Sequence, residues 1–374
     1  MVKLQTARTE TSPAAAIAGI AGKHAGPIAT PSPGEPCRSD RAPITKIAAP
    51  AVTVLMSVRE VPLAMLREAV ESILAQTMPD FEFRIYGDGA NEAALVAALE
   101  SYAARDPRVI VRHGPPRGLT KTLNLGLGEA RARFIARQDA DDWSEPERLA
   151  RQLEFLERHP DVAVCGSNAW MRQENGALLW TTRLPGDVPA IERALWGTNP
   201  FVHGATMFRA AAARAAGGYC EAFACSQDYD FFWRLCDHGG GANLAAPLYH
   251  YRFRRGAVSA ERAGEQARVH KATQALAWAR HMGAEADVHG ALAEAGRQGK
   301  APRERLAARL KQADHRMLAG DYVGAARSYA ALAFAHPASA VAWGKLARWC
   351  VFVAAPPLRR WCFRSCFFRA ANVP

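Results

Sequence analysis

The stretch Phe134-Ile-Ala-Arg-Gln-Asp-Ala-Asp-Asp-Trp143 joins a short apolar run to three carboxylates within four positions, Asp139, Asp141 and Asp142. The apolar run has the composition of a buried β-strand. Carboxylates this close repel one another and are costly to bury without a counter-charge. A divalent cation, Mg²⁺ or Mn²⁺, supplies that charge and prefers oxygen ligands. The stretch therefore predicts a strand that ends in a metal site at the carboxyl edge of an α/β sheet, where such proteins bind ligands.

A simpler interpretation assigns part of the cluster to local structure. An Asp or Ser just before a helix often caps its N-terminus, and a helix is predicted to begin near Pro146. Asp142 or Ser144 is expected to act as this cap. Capping accounts for one of these side chains and not for the cluster as a whole, so the cation hypothesis is kept.

Strands and helices alternate upstream of this stretch. Strands are predicted at 51–56, 81–86 and 109–111, and helices after Pro62, at 92–104 and at 119–130. Short connections between alternating elements are typical of a parallel sheet with helices on its faces.

The pattern changes downstream of Trp143. It predicts a helix at 147–157, a hairpin at Asn175-Gly176, a helix at 229–236, and strands at 162–165, 201–208 and 248–253. Beyond about residue 260 everything is predicted helical, and residues 318–332 match one tetratricopeptide-like helical hairpin. Since one such repeat rarely stands alone, it is expected to pack on the main domain. The predicted organisation is a disordered leader at 1–49, a catalytic domain at 50–260 and a helical region at 261–374.

Composition limits the class of protein. The chain has 374 residues and is 49% hydrophobic, which is enough for one large core and a smaller module. Its formal net charge is +11. The eight cysteines are scattered without a C-x-x-C pair, which favours reduced thiols. The sequence has no run of 18 or more apolar residues, so no transmembrane helix is predicted, and no signal peptide is evident.

Residues 52–256 together resemble a family 2 glycosyltransferase of the nucleotide-diphospho-sugar transferase fold. The resemblance rests on several blocks in the family's order: Val52–Ser57, Ser72–Thr77, Tyr86–Ala90, Gly118–Asn124, Asp139-Ala-Asp141, Asn199–Gly204, Gln227–Leu235 and Tyr251–Gly256. It implies a Rossmann-like, mostly parallel sheet with helices on both faces (the GT-A type), here followed by a C-terminal all-helical module.

The resemblance also implies roles for particular residues. Donor-binding roles fall on Ser57, at the end of the first strand, and on Asp88, which would accept the uracil N–H. Lys121 would face the diphosphate, although a solvated helix lysine is the simpler interpretation. Asp139 of the D-x-D signature would lie near the ribose or the metal's water shell, and Asp141 would be the direct metal ligand.

On the acceptor side, Asp228 in Gln-Asp-Tyr-Asp would be the general base for the attacking hydroxyl. Asp230 and Arg234, one helical turn apart, are expected to pair with each other.

Three positions depart from the family pattern. Gly87 replaces an aspartate, and Gln227 replaces a glutamate. Arg254 stands where the family often has a metal-binding histidine. Either the metal shell loses a ligand, or Arg254 contacts the diphosphate itself, or His250 substitutes. Arg254 is therefore also a candidate donor-binding residue.

The predicted activity is transfer of one sugar from a UDP-linked donor to a glycan or lipid-linked acceptor, by metal-assisted inverting displacement. A non-catalytic nucleotide-sugar-binding protein on the same fold is the alternative, because of the three departures. A nucleotidyltransferase is disfavoured, because 57–62 lacks the glycines of a phosphate loop.

The C-terminal tail suggests a location. No acidic residue follows Asp321, and arginines alternate with aromatic residues from Leu358 to Arg369. This composition is typical of a surface that contacts anionic lipid. Packing of the same aromatic residues onto the helical module is the alternative. The expectation is a cytoplasmic protein, peripheral at the inner face of the membrane, with no nucleic-acid partner.

Overall fold

The computed structural model describes residues 49–90, 92–255, 262–298 and 302–354. The predicted leader and the basic aromatic tail lie outside these residues. The first half alternates strand and helix as predicted: β1 Val52–Val58, α1 Leu63–Leu74, β2 Phe81–Asp88, α2 Ala93–Arg105, β3 Val109–Gly114, α3 Leu119–Glu129 and β4 Phe134–Arg137.

The second half of the sheet region mixes short and long elements. They are β5 Trp143–Ser144, α4 Arg148–Arg158, β6 Val162–Arg172, β7 Leu178–Thr181, α5 Val188–Leu195, a 3-10 turn at His203–Ala205, β8 Met207–Arg209, α6 Ala210–Ala215, α7 Gln227–Cys236 and β9 Gly240–Arg252. The predicted hairpin joins β6 to β7, with Gly176 at φ 84°.

Within the described residues, one sheet of nine strands has the order β3-β2-β1-β4-β8-β6-β9-β5, with β7 paired to β6. Strands β3, β2, β1 and β4 are parallel, and β8 runs antiparallel to both β4 and β6. The carboxyl ends of β1, β2 and β4 consequently meet at one edge, the position where α/β sheets bind ligands.

Alternation along β1 places a hydrophobic core on each face of the sheet. Val54 and Met56 pack with α1, α2 and α4, whereas Leu55 packs with α3 and α7. Successive side chains of a strand point to opposite faces, so a strand apolar at every position is one covered on both sides. The predicted α/β class, with helices on both faces, is confirmed.

The C-terminal region is helical, as predicted: α8 Ala263–His281, α9 Val288–Gln298, α10 Pro302–Leu318, α11 Tyr322–Ala335 and α12 Ala340–Ala354. Helices α10 and α11 share a core with Leu179 of β7 and with Phe253, just after β9. The helical hairpin therefore buries its apolar face against the sheet domain. No helix in the described ranges combines the length and apolarity needed to cross a bilayer.

One predicted strand, 201–208, is wrong in its first part. Residues His203–Ala205 form a 3-10 turn, and the strand begins only at Met207. An ideal Cβ on Gly204 would lie 2.0 Å from the Tyr249 hydroxyl oxygen. The turn therefore brings backbone against a buried tyrosine, a contact that the apolar composition of the segment does not reveal.

Candidate active site

Arg137, the last residue of β4, organises the strand ends. Its side chain is fully buried and donates to the carbonyl oxygens of Leu55 (2.6 Å) and Gln138 (3.0 Å). A third bond, 2.5 Å long, reaches Oδ1 of Asp139. One buried guanidinium thus ties β1 to the start of the carboxylate cluster and supplies part of its counter-charge.

The peptide around Asp139 is fixed from below by Tyr249 of β9. The Asp139 backbone N–H donates to the Tyr249 hydroxyl at 3.1 Å. The fully buried Arg148 donates to the carbonyl oxygens of Arg137 (2.9 Å) and Gly204 (2.7 Å). Burial lowers the pKa of Arg148 to about 10, so it stays charged at neutral pH. These bonds join β4, β9 and the 3-10 turn into one rigid floor.

Asp142 does not cap a helix, and the expectation that it or Ser144 would do so is wrong. The residue before α4 is Glu147, without a side-chain cap, and the Ser144 hydroxyl donates to Gln138 instead. The Asp142 carboxylate accepts the Arg252 backbone N–H at 2.7 Å. Burial, together with the charges of Asp141 and Asp139, raises the pKa of Asp142 well above its usual value. Asp142 thus has a structural role, because its carboxyl group joins the end of the cluster to β9.

Asp141 faces the cleft and is paired with Arg254. Nε of Arg254 donates to Oδ2 of Asp141 at 2.6 Å, and the same guanidinium donates to the Glu60 carbonyl oxygen at 3.0 Å. The position that departs from the family pattern is therefore in direct contact with the predicted metal ligand.

His250 is not available as a substitute ligand. Its Nε2 is 2.5 Å from a carboxylate oxygen of Glu145, and its Nδ1 accepts from Arg172 at 2.8 Å. Its ring stacks on Trp143 with 4.5 Å between centroids. Both nitrogens and one face are engaged, so the third alternative for position 254 is rejected.

The donor set around Asp141 decides which mode of metal binding is open to it. Among the described residues, no three His, Cys, Asp or Glu side chains are grouped to hold a metal ion. Oδ1 of Asp141 and Oδ2 of Asp139 accept no hydrogen bond from a described side chain. Mg²⁺ and similar ions are commonly held by one or two carboxylates together with substrate phosphates and water. Asp141, with Asp139 beside it, fits that mode and not an all-protein cage.

Asp88 is the predicted uracil-binding residue, and its carboxylate also has a structural role. Its buried carboxylate accepts the backbone N–H groups of Arg117 (2.6 Å) and Gly118 (3.0 and 3.2 Å). It thereby holds the loop that leads into α3. A carboxylate offers about four acceptor positions, so one remains for a base.

The other donor-side candidates lie near the same edge. Ser57 is half-buried near the end of β1, and Lys121 is exposed on α3. A cavity of about 480 Å³ lies nearby, lined by Arg59, Glu60, Val61, Pro62, Gly89, Glu92 and Leu95. Its wall includes Glu60, the residue that also holds Arg254.

Gly87 is a second departure from the family pattern, and the side chain of His113 lies where a side chain at position 87 would extend. An ideal Cβ on Gly87 would lie 2.9 Å from Nδ1 of His113, on β3. Nε2 of that histidine is 2.8 Å from a carboxylate oxygen of Glu100. His113 therefore occupies space that a side chain at position 87 would need.

Asp228 lies in the first turn of α7, close enough to Asp139 for the charge of that carboxylate to affect it. The residue before the helix, Ser226, has φ 50°, the sole non-glycine left-handed backbone in the described part of the chain. Such strained positions concentrate at functional sites. Burial raises the pKa of Asp228 to about 6, and the negative charge of Asp139 adds to the shift.

Two neighbours set the orientation of this region. Nδ2 of Asn199 donates to Oδ2 of Asp228 at 2.7 Å, while its own Oδ1 accepts from the Phe201 backbone. Asp230 pairs with Arg234 at 2.6 Å, as predicted, and Arg234 also donates to the Gly218 carbonyl. The pair anchors α7 to the 217–218 turn, so Asp230 is engaged structurally and Asp228 is the other carboxylate of the motif.

His203 connects the two sides. Its Nε2 lies 2.8 Å from the Tyr219 hydroxyl and accepts from Nε of Arg137 at 3.3 Å. Burial, with the charge of Arg137, lowers the pKa of His203 well below its usual value, so the ring is neutral. A continuous polar chain thus runs from Asp139 through Arg137 and His203 to Tyr219.

Sequence reasoning missed the buried members of this site. The roles of Arg137, Arg148, Tyr219 and Tyr249 were not predicted, since each depends on contacts between segments far apart in the chain. A usable signal existed for Arg137 alone: a charged residue inside an apolar strand needs a partner, and Asp139 follows two residues later.

Comparison with known proteins gives a consistent result. The family model described as glycosyl transferase family 2 matches residues 53–215. The chain is 33% identical over 207 residues to the putative glycosyltransferase EpsE of Bacillus subtilis, covering 54% of this chain and 73% of that protein. It is 32% identical over 188 residues to the amylovoran biosynthesis glycosyltransferase AmsE of Erwinia amylovora, covering 50% and 70%.

Two further comparisons extend this result. The O-antigen biosynthesis glycosyltransferase WbnJ of Escherichia coli is 30% identical over 187 residues, covering 49% of this chain and 72% of that one. Among solved structures, a mannosyltransferase of Pyrobaculum calidifontis in complex with GDP-Man and Mn²⁺ aligns with a TM-score of 0.50 at 19% identity, covering 87% of this chain and 86% of that chain. At this identity the structural likeness supports the fold alone.

Proposed function

This chain belongs to glycosyltransferase family 2, and from that premise we propose that it moves one sugar from a nucleotide-diphospho-sugar, UDP-linked, to a glycan or lipid-linked acceptor. The proposed reaction is a single displacement that inverts the anomeric centre. Asp228 is the proposed base, and the donor is proposed to lie along the carboxyl ends of β1, β2 and β4.

The arrangement of Asp228 carries the proposal. A general base is most effective when its pKa lies near the working pH. Burial brings the pKa of Asp228 to about 6, and hydrogen bonds from Asn199 and from the backbone N–H groups of Asp228 and Tyr229 orient its carboxylate. A positioned base of this kind contributes about 10²–10⁴-fold to rate.

The donor-side residues have complementary proposed roles. Ser57 and Asp88 position the nucleotide, Asp139 lies near the ribose, and Lys121 and Arg254 offset charge on the departing diphosphate. A divalent cation, Mn²⁺ or Mg²⁺, held by Asp141 would add Lewis-acid stabilisation of that leaving group. The buried Arg137 keeps Asp139 in place from below.

A donor screen tests the proposal. Purified protein is incubated with UDP-, GDP- and dTDP-sugars, with and without Mn²⁺, and release of the nucleoside diphosphate is measured. We expect release from one nucleotide class, faster when a glycan acceptor is added. No release from any donor, under conditions in which a nucleotide binds, would contradict the proposal.

A non-catalytic nucleotide-sugar-binding protein remains the alternative, and Gly87, Gln227 and Arg254 are the observations that favour it. Calorimetry with UDP and UDP-sugars separates the two. Tight binding with no turnover for any acceptor supports the binding protein, whereas turnover that is lost in Asp228→Asn supports the enzyme.

The proposed setting is polysaccharide biosynthesis at the cytoplasmic face of a membrane. Two of the similar proteins, WbnJ and AmsE, are named as glycosyltransferases of O-antigen and amylovoran biosynthesis. The basic aromatic tail supports peripheral contact with anionic lipid. The acceptor proposed on this basis is a growing or lipid-linked glycan.

A further inference from the structure

Arg254 is held from two elements at once. Its guanidinium lies between Oδ2 of Asp141 and the Glu60 carbonyl, at 2.6 and 3.0 Å. Its own carbonyl oxygen accepts from Nε2 of His315, on α10, at 3.0 Å. The Arg254 guanidinium is therefore held by the sheet domain, and the Arg254 backbone carbonyl is held by the C-terminal helical region.

The helical region grips the preceding residue as well. The ring of Phe253 meets His315 edge-on, with 5.6 Å between centroids. It is buried in the same core as Leu310 and Met317 of α10. A packed ring on one side of the Arg254 peptide and a hydrogen bond to its carbonyl together define where the arginine side chain begins.

The contact changes what Asp141 can bind. The side chains of Arg254 and Asp141 are only 19% and 23% exposed, so their attraction is weakly screened. A divalent cation at Asp141 would stand next to a guanidinium that already neutralises this carboxylate. Repulsion between the two cations opposes metal binding as long as Arg254 stays in place.

We infer that Arg254, positioned by the C-terminal helical region, occupies Asp141 in the nucleotide-free protein, so that a divalent cation binds tightly there only together with a nucleoside diphosphate. The inference rests on the proposed donor site. A guanidinium forms paired hydrogen bonds to phosphate as readily as to carboxylate. An arriving diphosphate gives Arg254 a second anionic partner and frees Oδ2 of Asp141 for the metal.

Two contacts of neighbouring side chains make this arrangement specific to residue 254. The neighbouring Arg255 is largely exposed and pairs with Glu174 at 3.3 Å, away from Asp141. His250 is fully engaged by Glu145 and Arg172 and cannot complete a metal shell. Of Arg254, Arg255 and His250, Arg254 is thus the one that pairs with Asp141.

Mn²⁺ binding measured by electron paramagnetic resonance, without any sugar donor, tests the inference. The full chain is titrated with MnCl₂ alone, with UDP, and with GDP. Parent protein is compared with Arg254→Gln and with Arg255→Gln, which removes the same charge one residue away. Arg254→His restores the family's residue.

We expect weak Mn²⁺ binding by the nucleotide-free parent and binding about tenfold tighter with UDP or GDP present, which is within the usual range of coupling between ligands. Arg254→Gln and Arg254→His should bind Mn²⁺ more tightly without nucleotide, and Arg255→Gln should match the parent. Equal affinity in the nucleotide-free parent and Arg254→Gln overturns the inference.

His315 is tested as a positioning residue in the same assay. His315→Ala should raise nucleotide-free Mn²⁺ affinity toward that of Arg254→Gln, and His315→Gln, which keeps a side-chain donor, should return it toward the parent. Unchanged Mn²⁺ affinity in a folded His315→Ala removes the helical region from the inference. If that variant does not fold, the His315→Gln and Arg254→Gln titrations still decide it.

Failure of the inference about Arg254 can be distinguished from failure of the proposed transferase function. If no donor is turned over but Arg254→Gln still gains Mn²⁺ affinity over Arg255→Gln, the pairing stands and the transferase proposal fails. If transfer occurs with the parent binding Mn²⁺ tightly in the absence of nucleotide, the transferase stands and the inference fails.

Discussion

The two carboxylates Asp228 and Asp141 have different partners and hence different expected chemistry. Asp228 accepts from a neutral amide and has a pKa raised to about 6 by burial. Asp141 accepts from a guanidinium. A base and a charge-binding group are what their respective surroundings favour.

The pH dependence of kcat/KM tests Asp228. The residue acts as a base only when deprotonated, so activity should fall about tenfold per pH unit below pH 6 and level off above it. Asp228→Asn should lose at least about 10²-fold in rate while its donor affinity is unchanged. A parent profile that is flat from pH 5 to 8, or loss of donor binding in Asp228→Asn, argues against the base assignment.

Asp141 and Asp142 offer a matched pair of substitutions. Asp141→Asn removes the anionic ligand and should lower transfer by about 10²–10³-fold without loss of fold. Asp142→Asn keeps an oxygen that can accept the Arg252 backbone N–H and removes a charge that burial disfavours, so it should keep most activity. Initial rates and urea unfolding of both variants check this, and equal damage in the two would contradict the assignment.

At the scale of elements, the 3-10 turn His203–Ala205 passes between β4 and β9. Its carbonyl at Gly204 accepts from Arg148, and its α-carbon lies against Tyr249 and Asp139. The position therefore leaves no room for a side chain, and the floor of the site depends on one glycine.

Gly204→Ala should destabilise the protein and impair catalysis together. The new methyl would lie 2.0 Å from the Tyr249 hydroxyl oxygen and 2.8 Å from Asp139, and overpacking of this kind costs about 1–3 kcal/mol. Gly128→Ala, on α3 where nothing lies within 4 Å, is the control and should be neutral or stabilising. Urea unfolding measures both, and similar stability of the two variants would show that the turn can adjust.

In the helical region, Asp314 of α10 joins three helices. It accepts from the Tyr329 hydroxyl and from Nζ of Lys345, each at 2.6 Å, and the ion pair is largely buried. Asp314→Asn leaves Lys345 without its counter-charge, at a cost of about 2–3 kcal/mol.

The exposed pair Glu294–Arg297 provides the comparison, since Glu294→Gln should cost at most about 0.5 kcal/mol. Hydrogen exchange of α10–α12 in both variants reports the difference. Equal protection in the two would mean that apolar packing alone holds these helices together.

Element types were largely predictable and the reasons are local. Apolar β-type composition identified β1 and β4, alternation identified β2, and the Asn175-Gly176 turn identified the β6–β7 hairpin. The 3-10 turn and the role of Asp142 were not predictable. Both depend on β9, whose Tyr249 lies 45 residues after Gly204 and whose Arg252 lies 110 residues after Asp142.

For the whole molecule, the relevant property is its uneven charge. The net charge is +11, and the segment after Ala355 contributes four arginines and no acidic residue. Basic residues near an anionic bilayer contribute about 1 kcal/mol each. Charge placement of this kind affects where a protein concentrates and leaves the fold unaffected.

Sedimentation with liposomes tests this at the scale of the whole chain. Intact protein should co-sediment with anionic vesicles and less so at high salt, and a chain ending at Ala355 should stay in the supernatant with its donor hydrolysis unchanged. Neutral phosphatidylcholine vesicles are the control. A truncated chain that aggregates or melts early would indicate that the tail packs on the helices instead.

Gly87 and His113 have a consequence for how this sequence could have diverged from its relatives. Because an ideal Cβ at 87 lies 2.9 Å from Nδ1 of His113, the two positions form one steric pair, in which a side chain at 87 needs a smaller or displaced side chain at 113. An aspartate at 87 becomes acceptable only after residue 113 has become small. The double substitution Gly87→Asp, His113→Ala should therefore be better tolerated than Gly87→Asp by itself.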